Sequence, residues 1–136
     1  RFLRTRPGST VLTPHDGEFS RLTGCPPGPR RISAVRHLAF TTGATVLLKG
    51  STTIGADPAG DVLLTTAGDS RLATAGSGDV LAGVIGALLA QGLDAPQAAA
   101  AGAFVHGTAA GLGWRRGLVA GDLLDLLPAV FNTIAP

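Results

Sequence analysis

The chain has 136 residues, with 11 Lys+Arg against 9 Asp+Glu, 45% hydrophobic and 15% charged positions. That apolar content excludes a disordered segment, and a formal net charge of +2 is too small to signal nucleic-acid binding. The lone Cys25 excludes an internal disulfide framework and a cysteine-based zinc site, and the longest apolar run, Val80 to Ala90, is too short to cross a membrane as a helix.

Seven of the eleven basic residues (Arg1, Arg4, Arg6, Arg21, Arg30, Arg31, Arg36) fall in the first 36 positions. No aromatic residues interleave them in the manner of a nucleic-acid patch, so they read as a solvated basic face. The first residues have no apolar h-region, and a cytoplasmic location is expected. The length suits one domain or a piece of a larger one, and the absence of any Met favours the piece.

In chain order, Thr10-Val11-Leu12-Thr13 reads as a short strand closed by Pro14. Glu18 to Leu22 reads as a short helix ended by Gly24 and the Pro26-Pro27-Gly28-Pro29 loop. Arg31 to Thr42 is a helix with Ile32, Val35, Leu38 and Ala39 on its inner face and Gly43 as its stop. Thr45 to Lys49 is apolar enough for a strand covered on both faces. Thr53–Ala56 and Val62–Thr66 flank Asp57-Pro58-Ala59-Gly60 and predict a hairpin. Asp79 to Gln91 is a helix apolar nearly all round, hence expected to be buried. Asp94 caps a further helix, with Pro96 in its first turn, running to about Leu112; its Ala and Gly residues would let a neighbour approach closely. Leu123 to Ile134 is a last helix, opened by Gly121-Asp122 and kinked or stepped at Pro128. The alternation of strands and helices predicts α/β layering.

Three polar clusters follow strands or open helices. Thr74-Ala75-Gly76-Ser77-Gly78-Asp79 places two glycines at a helix N-terminus, where bare amides and the positive dipole end suit a phosphate. A carboxylate in such a cradle makes chemical sense if Asp79 accepts a hydroxyl proton while the amides hold a transferring phosphoryl group. A Gly-rich turn in which Asp79 merely stabilises the first helical turn reads the same residues equally well. No Lys follows these glycines as a P-loop requires, and Leu81 stands where a dinucleotide fingerprint needs its third Gly. Thr13-Pro14-His15-Asp16-Gly17-Glu18 lies at a strand's C-terminal end, where open α/β sheets bind ligands. His15 could hydrogen-bond a substrate there and Glu18 could hold magnesium through water; the plainer reading is an exposed His and a helix-capping Glu. Lys49-Gly50-Ser51-Thr52-Thr53 offers an ammonium, a bare glycine and hydroxyls to a polyphosphate or ribose, or forms a polar turn. His37 and His106 have no second ligand at helical spacing and read as structural. Trp114 is expected to pack at a helix end, and Cys25 has no paired His.

Taken together, the order T-P-H-x-G-E, K-G-x-x-T and A-G-S-G-D-V-L-A-G resembles the ADP/ATP-dependent NAD(P)H-hydrate dehydratases of the ribokinase-like superfamily. The likeness runs from about Val11 to Gly113, is most specific over Leu72 to Gly83, and is supported by Val105-His106-Gly107. It implies a layered α/β/α fold, of which this chain would be the C-terminal half, with the N-terminal half absent. It also implies repair of hydrated NADH or NADPH: ADP or ATP phosphorylates the ring hydroxyl, and phosphate then leaves. By that resemblance Asp79 is the base and contacts the hydrate, as does His15. Gly76, Ser77 and Gly78 cradle the phosphoryl group, and Lys49, Gly50, Ser51, Thr52, Thr53 and Gly78 bind the nucleotide. Glu18 helps place Mg2+. The family often forms homo-oligomers and often carries an epimerase domain ahead of this region. It usually has Pro where this chain has Asp16, which adds a negative charge beside a site for anions, and Asn-Pro near Asp69-Ser70. The chain by itself is expected to be inactive or weakly active. A ribokinase-like kinase of a vitamin precursor shares the Gly-x-Gly-Asp loop but commonly carries Asn in the position of His15. A non-catalytic nucleotide-binding fragment that assembles with another chain is the remaining alternative.

Overall fold

The computed structural model describes residues 3–134; Arg1, counted above with the basic face, lies outside the described residues. A 3₁₀ turn at Leu3–Thr5 precedes β1 (Val11–Leu12), α1 (Asp16–Thr23), α2 (Arg31–Thr42), β2 (Thr45–Leu48), β3 (Thr53–Ala56) and β4 (Val62–Thr65). A second 3₁₀ turn at Ser70–Leu72 leads into α3 (Ser77–Ala90), α4 (Ala95–Leu112) and α5 (Ala120–Ile134). Each expected strand and helix is present, with shifts only at the ends.

The sheet order is β1-β2-β3-β4. β1 runs parallel to β2 with Val11 opposite Thr45, while β3 is antiparallel to both β2 and β4. All four residues of β2 are buried, because their side chains alternate between two covered faces. Val46 and Leu48 join Phe19 of α1, Val35 and Leu38 of α2, and Ile54. Leu47 points the other way, into Leu81 and Ile85 of α3 and Ala98, Ala99 and Ala103 of α4. A third cluster, including Val84, Val105, Ala109, Leu123 and Val130, glues α5 to α3 and α4. The layering is therefore α/β/α.

The small residues of α4 serve the close approach read from the sequence. A Cβ on Gly102 would lie 2.5 Å from Cγ1 of Ile85, so α3 and α4 meet nearly backbone to side chain. A Cβ on Gly107 would fall on the carbonyl of Ala67, so α4 presses directly on the loop after β4. Asp94 caps α4 as expected, its carboxylate accepting from the Gln97 N–H at 2.8 Å. Gly43 ends α2 at φ 69° and donates its N–H to Ala39 O at 2.9 Å.

Three expectations are corrected. α3 is buried along Leu81, Val84 and Ile85 but exposes Asp79, Ala82, Gly83, Gly86, Ala87 and Ala90, one continuous face at helical spacing. Apolar composition misled because most of that face is Ala and Gly, too small to demand cover. Ile32 is 43% exposed rather than part of the inner face of α2, and Trp114, beyond the end of α4, is 72% exposed rather than packed. α5 continues through Pro128. No helix among the described residues is long and apolar enough to cross a membrane.

The loop carrying Asp69-Ser70 is fixed by charge. Asp69 accepts from the Arg71 N–H at 2.9 Å and pairs with the Arg71 guanidinium at 2.6 Å. Arg71 in turn donates to Gly111 O and Gly113 O at the C-terminal end of α4. Hydrogen bonds from the Arg71 side chain and main chain hold the Asp69 carboxyl at about 2 against an ordinary 3.8. A carboxylate whose pKa is depressed by folding stabilises the fold above its unfolded value and loses that contribution as the pH falls through the folded one. Asp69→Asn should therefore lower the urea midpoint at pH 6. The gap to the parent chain should narrow between pH 4 and pH 2; a gap constant over that window would exclude the ion pair as its source.

Candidate functional site

Parallel pairing brings the C-terminal ends of β1 and β2 together, and the Lys49 N–H donates to Pro14 O at 2.9 Å. The two polar clusters that follow these strands thus lie side by side. His15 is the N-cap of α1: its Nδ1 accepts from the N–H groups of Gly17 and Glu18 at 3.0 and 3.2 Å. In the neutral ring this leaves the hydrogen on Nε2, which lies 3.6 Å from Glu18 Oε1. Glu18 closes the capping box by accepting from the His15 N–H at 2.9 Å, and its Oε2 is also 3.6 Å from Lys49 Nζ. The His15 amide first, and then Lys49, hold the Glu18 carboxyl below the usual range.

The third cluster joins these through Lys49. A Cβ on Gly78 would lie 3.1 Å from Lys49 Nζ, so the ammonium rests on the first turn of α3. Gly76 adopts φ 87° there, a left-handed conformation that L side chains rarely tolerate. The Ser77 N–H donates to Thr74 O, and those of Asp79 and Val80 donate to Gly76 O. Among the described residues the amides of Gly76 and Gly78 have no such partner, which leaves two donors at the positive end of a 14-residue helix. A lysine ammonium against a helix N-terminus is repulsive until an anion sits between them. Asp79 stands exposed at the lip of this turn, its carboxylate without a hydrogen bond or ion pair among the described residues.

Not every expected member contributes alike. Ser77 is buried, and its hydroxyl donates to Leu72 O at 2.6 Å. With hydroxyl and amide both engaged, Ser77 braces the turn from behind. Thr53 opens β3 opposite Thr65 and does not line the cavity in front of Lys49. That cavity, about 590 Å³, is lined by His15, Asp16, Arg31, Lys49, Ser51 and Thr52 among others. Arg31 was counted with the solvated basic face. Instead it grips Asp16 with both nitrogens, Nη2 to Oδ1 at 2.6 Å and Nη1 to Oδ2 at 2.8 Å, so the negative charge of Asp16 is matched inside the site. The signal available in the sequence was two arginines opening a helix with no acid in its first turn, against the dipole.

His106 is buried as expected of a structural histidine, but its Nε2 has no hydrogen-bond partner among the described residues. Burial pushes the imidazole toward its neutral form, partly opposed by the Ser77 main chain and reinforced by Lys49. It therefore lies behind the α3 turn. Among the described residues no three His, Cys, Asp or Glu side chains cluster as metal ligands. Glu18, capping α1 and facing Lys49, fits at most a water-mediated contact with a divalent ion brought in by a ligand's own oxygens.

A sheet with parallel β1 and β2, helices on both faces and a Gly-x-Gly-Asp turn opening a helix beside the strand ends defines the ribokinase-like class. In keeping with this, a ribokinase-like superfamily protein from Enterococcus faecalis superposes at TM-score 0.80 and 27% identity, over 97% of this chain and 47% of its own. Residues 3–129 match the carbohydrate-kinase family model described as NAD(P)H-hydrate dehydratase, and the chain belongs to that family. The ADP/ATP-dependent NAD(P)H-hydrate dehydratase of Bacillus subtilis, crystallised with ATP and Mg2+, superposes at TM-score 0.88 and 33% identity over 95% of this chain and 49% of its own. The bifunctional NAD(P)H-hydrate repair enzyme Nnr of Mycobacterium leprae is 64% identical over 107 residues, which are 79% of this chain and 23% of that protein. The chain thus spans about half the length of these solved relatives and about a quarter of that repair enzyme.

Proposed function

We propose that this chain forms the nucleotide-binding and phosphoryl-transfer part of an ADP- or ATP-dependent NAD(P)H-hydrate dehydratase, the C-terminal half of its catalytic domain. The observation that carries the reading is the Lys49 ammonium lying on Gly78, which makes one anion seat out of the Lys49-Gly50-Ser51-Thr52 loop and the Gly76–Asp79 turn. The nucleotide's phosphates lie between Lys49 and the free amides of Gly76 and Gly78, with Ser51 and Thr52 toward its sugar. Glu18 would hold a magnesium ion through water, and the ion would supply charge neutralisation to the phosphates. His15 orients the hydrate through Nε2–H.

In the transfer step the ring hydroxyl oxygen bonds to the terminal phosphorus while the bond to the nucleotide's bridging oxygen breaks. Asp79 accepts the hydroxyl proton, and the two glycine amides hold the phosphoryl oxygens as charge spreads over them. Phosphate then leaves the ring carbon, a proton leaves the adjacent carbon, and the double bond of the reduced nicotinamide is restored. Phosphorylation is needed because hydroxide is a poor leaving group.

A vitamin-precursor kinase would share the transfer step and stop there. The His15 cap, with its Nε2–H directed away from the helix amides, favours the hydrate. Lys49→Gln should weaken ADP binding to the chain by about tenfold or more, the loss of a charge-assisted contact. Calorimetric titration checks this; unchanged affinity would remove the anion seat from the account.

A further inference from the structure

We infer that Arg31 is a second anion-binding residue of the cavity beside Lys49, held in reserve by Asp16, and that an incoming phosphate takes the place of the Asp16 carboxylate. The inference rests on the nucleotide reading above, since it takes the ligand of this cavity to be a nucleoside diphosphate.

Among the described residues the Arg31 guanidinium makes two hydrogen bonds, both to Asp16. A guanidinium carries five N–H donors, so three are uncommitted. The same group lies along the loop that follows Lys49: a Cβ on Gly50 would sit 3.2 Å from Arg31 Nη2. Asp16, Arg31, Lys49 and Gly50 line one cavity. Its two cations are both partnered before a ligand arrives, Lys49 with Glu18 at 3.6 Å and Arg31 with Asp16 at 2.6 Å. The formal charge around it is therefore zero, which is a poor seat for a polyanion unless one carboxylate yields. Asp16 is the group able to yield. Its side chain is 57% exposed, so the freed carboxylate returns to water and regains its hydration. Phosphate oxygens offer a guanidinium the same two-pronged geometry as a carboxylate, so the exchange conserves Arg31's hydrogen bonds. Glu18 by contrast is bound into the capping box of α1 and stays.

The competing account is a tether, in which the pair only ties α1 to α2. Titration of ADP into the parent chain, D16N, R31Q, the double variant and K49Q separates the two. Exchange predicts that D16N tightens ADP binding about fivefold, that R31Q weakens it about tenfold, and that D16N has no further effect once R31Q is present. R31K should recover part of the affinity, since it keeps the charge and loses the fork. ADP affinity unchanged in R31Q, or weakened in D16N, overturns the inference, while a loss confined to K49Q leaves the nucleotide reading standing. If neither the parent chain nor D16N binds ADP, the nucleotide reading falls and the inference with it. Thermal unfolding of each variant identifies any that is misfolded; should R31Q be so, the sign of the D16N effect alone decides.

Discussion

Asp79→Asn should abolish hydrate turnover while leaving nucleotide binding nearly intact. The amide keeps the shape of the side chain but cannot accept the hydroxyl proton, so the loss falls on the chemical step. A well-placed general base contributes roughly a hundredfold to ten-thousandfold, and a drop of about a thousandfold is expected. The measurement is best made in a chimaera in which this chain's segment replaces the corresponding one of the Mycobacterium leprae repair enzyme, to which it is 64% identical over 107 residues. Among the described residues the Asp79 carboxylate makes no hydrogen bond or ion pair, so the substitution should leave thermal stability within a degree or two of the parent. A variant that keeps its rate, or that loses rate and nucleotide affinity equally, would take the proton-accepting role from Asp79.

Gly107→Ala should be the most damaging small substitution in the chain. The added methyl would fall on the Ala67 carbonyl, which is backbone and has no rotamer by which to move aside. Either α4 or the loop after β4 must shift, and the contacts of Leu72 with the α3/α4/α5 core would shift with it. Overpacking against backbone costs upwards of about 3 kcal/mol. The urea unfolding midpoint reports it directly. Gly86→Ala provides the contrast: nothing lies within 4 Å of its added Cβ, and better helix propensity should leave stability equal or improved by about 0.5–1 kcal/mol. Equal destabilisation of the two would mean that α4 does not press on that loop.

The fold was legible where periodicity and punctuation agreed. Thr45 to Lys49 read as a doubly covered strand because four consecutive apolar or β-branched residues follow the helix-stopping Gly43, and those four, Thr45 to Leu48, form β2 and are all buried. α4 read correctly because Asp94 and Pro96 mark its start. The outer face of α3 and the exposure of Trp114 were not legible, because burial depends on which surfaces meet and composition does not carry that. Of the site, the three clusters were visible as local patterns of glycine, hydroxyl and charge. Their convergence was not: that Lys49 rests on Gly78, 29 residues along the chain, follows from β2 ending beside the start of α3. The engagement of Ser77 with Leu72 and the grip of Arg31 on Asp16 are likewise matters of side-chain direction. Glu18 caps α1, as its plainer reading has it, and also faces the Lys49 ammonium, a contact between distant segments that no local pattern announces.

The most direct test is a two-ligand titration of the isotopically labelled chain followed through its backbone amide resonances. ADP should move the amides of Lys49 to Thr52 together with Gly76 and Gly78, and hydrated NADPH added next should move those of His15 and Asp79. Shifts from ADP confined to other parts of the surface, with the Gly76 and Gly78 amides unmoved at saturation, would contradict the account.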